Sequence, residues 1–302
     1  MRRTLTFLVI LMASAVLVAS GQQVFRAGVD LVHFGVVVTD KDGAPILGLK
    51  AENFELLEEG TRQKLQFFAG GEPSSAPPLH LGFMIDNSGS MVKDIGDVRT
   101  AAIKFLNRVE NITDLTLVDF DTEVRVARFG PDDFPRLIER IRSRRPEGFT
   151  ALYDALGVYL NGASQITGDK ILVLYTDGGD TRSSMGMSEL LDLLKISDVT
   201  VYSIGYLQNQ GGRRTEQQQI LTRVAGTTGG QAFFPTHTNE LDKMYDKILR
   251  EISGRYSLGY VSTDTKLDGK WRDVKIRIVG KPELKDVKIR TRAGYYAPYK
   301  PS

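Results

Sequence analysis

The chain has 302 residues, 41% of them hydrophobic and 25% charged, with a formal net charge of +2. That is enough apolar material to bury a core, and the charge content is too ordinary for wholesale disorder. Cysteine is absent, which excludes disulfides, thiolate metal sites and a catalytic thiol, and Arg2 and Arg3 account for the whole charge excess, so nothing favours nucleic acid or an anionic membrane as partner.

The first stretch reads MRRTLTFLVILMASAVLVASGQQ. Two arginines precede an apolar run from Leu5 to Val18, and the small residues Ala19, Ser20 and Gly21 follow. This is the layout of a secretory signal peptide over 1–21, with cleavage near Ser20–Gln22. An uncleaved anchor is the alternative, since the run lies near the lower length limit for a spanning helix, about 17 residues. The mature chain is expected to be secreted or periplasmic, with no membrane span after cleavage.

Residues 29–39, VDLVHFGVVVT, are rich in β-branched side chains and end at the turn signal DKDGAP. NFELLEEG and QKLQFFAG follow, each closed by glycine, so 22–70 reads as half of a β-sandwich. GGEPSSAPP has linker composition and places a linker at 71–78.

From 79 the pattern changes. LHLGFMID (79–86) and KILVLYTD (170–177) are nearly continuous apolar runs that end in Asp, and LTLVDFD and VTVYSIGY are further strand candidates. Segments with helical spacing lie between and after them, near 94–110, 133–143, 150–164, 188–197, 215–226 and 238–253. Strands buried on both faces and alternating with helices imply a doubly wound, mostly parallel α/β sheet covered on both sides, spanning 79–254. In the tail, 255–302, RYSLGYVS, KWRDVKIRIVG and DVKIRTRAGYY alternate apolar and polar residues as half-exposed strands do. Neither flank alone has strands enough for a core, so the two are expected to form one β-sandwich with the α/β block inserted between them.

The run FMIDNSGSM (83–91) ends a buried strand on Asp86, Ser88 and Ser90. Sites in doubly wound sheets form at the carboxyl ends of strands. Asp177 ends another strand and is followed by GGD, which permits sharp turning. Carboxylates and hydroxyls without His or Cys suit Mg²⁺, Ca²⁺ or Mn²⁺ rather than zinc. Asp86 and Ser88 could instead cap the helix that follows.

These residues resemble the von Willebrand factor type A family, whose metal-ion-dependent adhesion site uses D-x-S-x-S, then Thr, then Asp. DNSGS (86–90) matches the first element, GFTALYDAL (148–156) resembles the threonine loop with Thr150, and YTDGGD (175–180) resembles the last loop with Asp177. The resemblance covers about 79–254 and implies one divalent cation on Asp86, Ser88, Ser90, Thr150 and Asp177. Mg²⁺ is the expected ion, with Ca²⁺ or Mn²⁺ as alternatives. It further implies a protein partner whose Asp or Glu completes the metal shell. Phe149 departs from the pattern, standing where many relatives carry Gly. The flanks are similar to those of secreted bacterial proteins that carry this domain.

The remaining polar residues read as support or surface. Asp154 is expected on a helix face or behind the ligands, Asp180 in solvent, and Asp119 and Asp121 as a surface pair. The arginines of RIRSRRPEG (140–148) read as a solvated helix end. A hydrolase would need a base beside Ser88 or Ser90, and of His33, His80 and His237 only the last is near the expected ends of the sheet. No G-x-S-x-G elbow occurs, so the chain is expected not to be an enzyme. The alternative to adhesion-type binding is an envelope scaffold or regulatory subunit in which the metal is only structural.

Overall fold

The computed structural model describes residues 31–71, 78–177, 179–208, 211–284 and 286–300. The leader expected at 1–21 lies outside these residues, as does most of the linker expected at 71–78. Among the described residues no helix is long and apolar enough to cross a membrane.

The first flank folds as β1 (Leu31–Thr39), β2 (Phe54–Glu58), β3 (Thr61–Gln63) and β4 (Leu65–Gly70). The α/β block follows as β5 (Leu79–Asp86), α1 (Ile95–Leu106), β6 (Ile112–Phe120), β7 (Val124–Phe129), α2 (Phe134–Ser143) and α3 (Leu152–Ala163). It continues with β8 (Asp169–Thr176), α4 (Met187–Ile196), β9 (Thr200–Gly205), α5 (Arg214–Thr227), β10 (Ala232–Phe233) and α6 (Leu241–Ser253). The second flank is β11 (Tyr256–Val261), β12 (Trp271–Ile278), β13 (Lys288–Arg290) and β14 (Gly294–Tyr296).

The central sheet has the order β10-β9-β8-β5-β6-β7, parallel except for β7. Strand alternation explains why β5 and β8 are apolar throughout. Leu81, Phe83, Ile85, Ile171, Val173 and Tyr175 pack with α1, α2 and α6 on one face. Met84, Leu172 and Leu174 pack with α3, α4 and α5 on the other. Gly82 lies on this second face, where a Cβ would come within 2.4 Å of the Tyr159 ring of α3, so only glycine lets that helix approach. The antiparallel edge strand β7 has no counterpart in the apolar-run pattern, because its residues are half buried at best.

Both flanks contribute to two antiparallel sheets, ordered β13-β1-β11-β4 and β14-β12-β2-β3. Phe34, Val36, Val38, Phe54, Leu56, Tyr256, Leu258, Tyr260, Val274 and Ile276 form one core between them. The stretch 286–296, which reads as one strand, is divided. Ile289 pairs with Val38 in one sheet, whereas Tyr296 pairs with Trp271 in the other. Arg292 holds the crossing: its guanidinium lies 4.6 Å from the Phe34 ring centroid and donates to the His33 carbonyl at 2.7 Å.

Candidate metal centre

The chain leaves β5 for β6 on one side and reaches β8 on the other, so the carboxyl ends of β5 and β8 flank a switch point of the sheet. Asp86 ends β5 and is fully buried. Its Oδ1 accepts from the Ser88 amide at 2.9 Å, and its Oδ2 accepts from the Thr176 hydroxyl at 2.6 Å. Burial pushes the Asp86 carboxyl up, and the nearby charge of Asp177 pushes it further; the bonds from Ser88 and Thr176 pull back, leaving it at about 7. Asp177 follows β8 directly and is itself buried.

Ser88 is buried, Ser90 is exposed in the 3-10 turn Gly89–Lys93, and their hydroxyls lie 3.0 Å apart. Neither Asp86 nor Ser88 caps α1. Thr150 arrives through its loop. The Gly89 amide donates to the Gly148 carbonyl at 3.1 Å, and the Glu147 amide donates to the Asn87 carbonyl at 2.8 Å. Gly148 has φ +72°, and a Cβ there would meet the Thr122 hydroxyl at 2.4 Å, so this turn requires glycine. The Thr150 carbonyl accepts from the amides of Thr181 and Arg182, and its amide donates to Thr181 Oγ1. The loops bearing the five expected residues are thus joined at one end of the sheet.

Two aspartates brace these loops, and Asp180 departs from its expectation. Asp180, expected in solvent, instead accepts from the Tyr153 amide at 2.9 Å and from both the amide and hydroxyl of Ser183. It fastens the loop after β8 to the start of α3. Asp154 accepts from the amides of Ser184 and Met185, both at 2.9 Å, so it pins the same loop from the helix. Asp180→Ala is expected to cost about 1–3 kcal/mol, read from chemical denaturation of the metal-free protein.

Asp119 and Asp121 are buried rather than a surface pair. Arg125, Arg140 and Arg144 surround Asp119, and Arg125 and Arg144 also reach Asp121. Burial alone would raise the Asp121 carboxyl; the hydrogen bonds from Arg125 and the Glu123 amide, with the charges of Arg125 and Arg144, hold it below the usual range. Arg140 and Arg144 therefore anchor the loop that leads to Thr150, rather than forming a solvated helix end. Arg125 is close in sequence, but Arg140 and Arg144 come from α2 and the residue after it, and that pairing leaves no local pattern.

The donor chemistry fits a hard divalent cation. Two carboxylates sit with hydroxyls, and a cation there would relieve the repulsion that raises Asp86. Among the described residues, no three His, Cys, Asp or Glu cluster in a way that could hold a metal.

A sequence model of the von Willebrand factor type A domain matches residues 80–247. The chain belongs to the von Willebrand factor type A family. The type A domain thus coincides closely with the α/β block. No curated protein matches the chain. The vWF domain of the type V pili tip protein Mfa5 from Porphyromonas gingivalis is 16% identical, covering 59% of this chain and 95% of that one at a TM-score of 0.50. The pilus adhesin SpaC from Lactobacillus rhamnosus GG is 11% identical, covering 87% of this chain and 49% of that one at a TM-score of 0.51. The PilB minor pilin from Streptococcus sanguinis is 18% identical, covering 60% of this chain and 62% of that one at a TM-score of 0.49. The match therefore spans about half of SpaC and under two thirds of PilB. At these identities the likeness is one of fold.

Proposed function

We propose that this chain is a non-enzymatic, metal-dependent protein-binding module that acts outside the cytoplasm, in the periplasm or beyond it. Asp86, Ser88, Ser90, Thr150 and Asp177 would hold one divalent cation, directly or through water, with Mg²⁺ first and Ca²⁺ or Mn²⁺ as alternatives. The observation that carries this reading is the fully buried Asp86, raised to about 7 beside Asp177 and ringed by hydroxyls at a switch point. A cation supplies charge neutralisation there and a Lewis-acidic position for an oxygen ligand. Five protein oxygens leave an octahedral ion with room for one more, and a partner's Asp or Glu is the ligand of matching charge. The pilus proteins among the structures of similar fold agree with such a role at the envelope.

The rim would add apolar contact. Phe149 is 63% exposed beside Thr150, and Val92 is 60% exposed just beyond Ser90. Exposed apolar side chains next to a polar centre are what a protein partner would cover.

Thermal unfolding with Mg²⁺, Ca²⁺, Mn²⁺ and a chelator tests the metal. A cation that binds only the folded state stabilises it by about 2.7 kcal/mol at 100 times its dissociation constant. No shift with any of the three would remove the reading. Partner capture then separates binding from scaffolding: capture lost on chelation and restored by Mg²⁺ supports adhesion, whereas capture that survives chelation makes the metal structural.

A further inference from the structure

Arg99 lies one turn into α1, immediately after the first donor loop. Its Nη2 donates to Asn87 Oδ1 at 2.9 Å and also to the Arg144 carbonyl, while its Nη1 donates to the Arg142 carbonyl at 3.3 Å. Asn87 stands between Asp86 and Ser88 and is 2% exposed. Its amide donates to the Phe120 carbonyl at 2.7 Å and its carbonyl accepts from the Glu147 amide. One guanidinium thus spans the loop that carries Asp86, Ser88 and Ser90 and the loop that delivers Thr150.

We propose that Arg99 is a positioning residue that holds these two loops in register, so that the donor set is assembled before a cation arrives. The inference rests on the metal reading above. The geometry calls for arginine specifically, because three acceptors in different directions need a planar fork of donors. An ammonium at the end of a flexible stem cannot serve them together. The charge of Arg99, by contrast, opposes a cation by simple Coulomb repulsion. Positioning and electrostatics therefore act on metal affinity with opposite signs, which makes the role measurable.

The experiment compares wild type, Arg99→Gln and Arg99→Lys in the full chain, by Mg²⁺ and Mn²⁺ titration and by amide hydrogen exchange without metal. Positioning predicts that both variants bind the cation about 10–100-fold more weakly, the usual effect of removing a support behind metal ligands. Lysine should not rescue. The Glu147 and Phe149 amides should exchange about tenfold faster in both variants while the β5 amides are unchanged, since only the loop is released. Unchanged affinity, affinity tightened in Arg99→Gln, or full rescue by lysine would each overturn the proposal. If wild type binds no cation, the metal reading falls by itself. The exchange measurement then still decides whether Arg99 ties the loops, and equal exchange at Glu147 and Phe149 would reject it.

Discussion

Asp86→Asn is expected to stabilise the metal-free protein near pH 7.5 and to erase its response to divalent cations. In the unfolded chain this carboxyl titrates near 3.8, and in the metal-free fold at about 7. Between those values the folded state keeps a proton that the unfolded state has released. Stability from this group is therefore greatest below pH 3.8, falls as pH rises, and has been lost by pH 7. Each pH unit between the two values corresponds to about 1.4 kcal/mol, so the neutral amide should recover roughly 2–4 kcal/mol above pH 7. Asn can still accept from the Ser88 amide, and its NH₂ can donate to the Thr176 hydroxyl, so the bonds now made to Asp86 survive the exchange. Urea unfolding of both proteins from pH 4 to 8, in chelator and in Mg²⁺, gives the test. In chelator the difference between variant and wild type should grow with pH and level off near 7. In Mg²⁺ the wild type should gain stability with pH as the cation displaces the proton, and the variant should not. A difference that stays flat across the window would mean that burial beside Asp177 does not govern Asp86.

Glu58→Ala should be the most damaging single change in the sandwich, costing about 3 kcal/mol or more. Glu58 is 2% exposed at the end of β2. It accepts from Tyr260 at 2.6 Å, Ser262 at 2.6 Å and Tyr295 at 3.1 Å. Tyr260 belongs to one sheet and Tyr295 to the other, so a carboxylate from the first flank gathers hydroxyls from the second. Alanine would leave those hydroxyls buried without their acceptor, and burial already holds both tyrosines in the neutral form. Glu58→Gln, which keeps one carbonyl, should cost distinctly less. Denaturation midpoints measure both variants. Any Mg²⁺-dependent increment should be retained in each, because the loops that bear the proposed donors lie at the carboxyl ends of another sheet. Loss of that increment in Glu58→Ala would show that the two sheets and the metal loops unfold as one.

The sequence-legible features are those that physics writes locally. β5 and β8 are continuous apolar runs because alternate residues face two separate cores, and such runs do not mimic half-exposed strands. The five expected donors occupy the ends of those strands or the loops joined to them; their role as ligands is an implication of the family resemblance, since D-x-S-x-S alone is a weak signal. What escaped was either too short or too distant in sequence. The run 286–296 has unbroken alternation, yet it changes sheets at 291–293 because β1 and β12 each capture one end. Asp119, Asp121 and Asp180 read as surface residues by composition. Asp119 and Asp121 are buried and Asp180 is half buried, because Arg140, Arg144 and the Tyr153 amide reach them from other elements, and those partners leave no local pattern.

Tyr256, the third residue after α6, pairs with Gly70, the last residue of β4, so the strands that bracket the α/β block lie side by side. The block hangs from this stem as a closed loop. Tension applied between residues 31 and 300 would then pass through the hydrogen-bonded strands of the sandwich, from β1 across β13 and onward to β14, and bypass 79–254. A block mounted in this way keeps the loops of Asp86, Thr150 and Asp177 outside the load path, while the strands beneath bear the force.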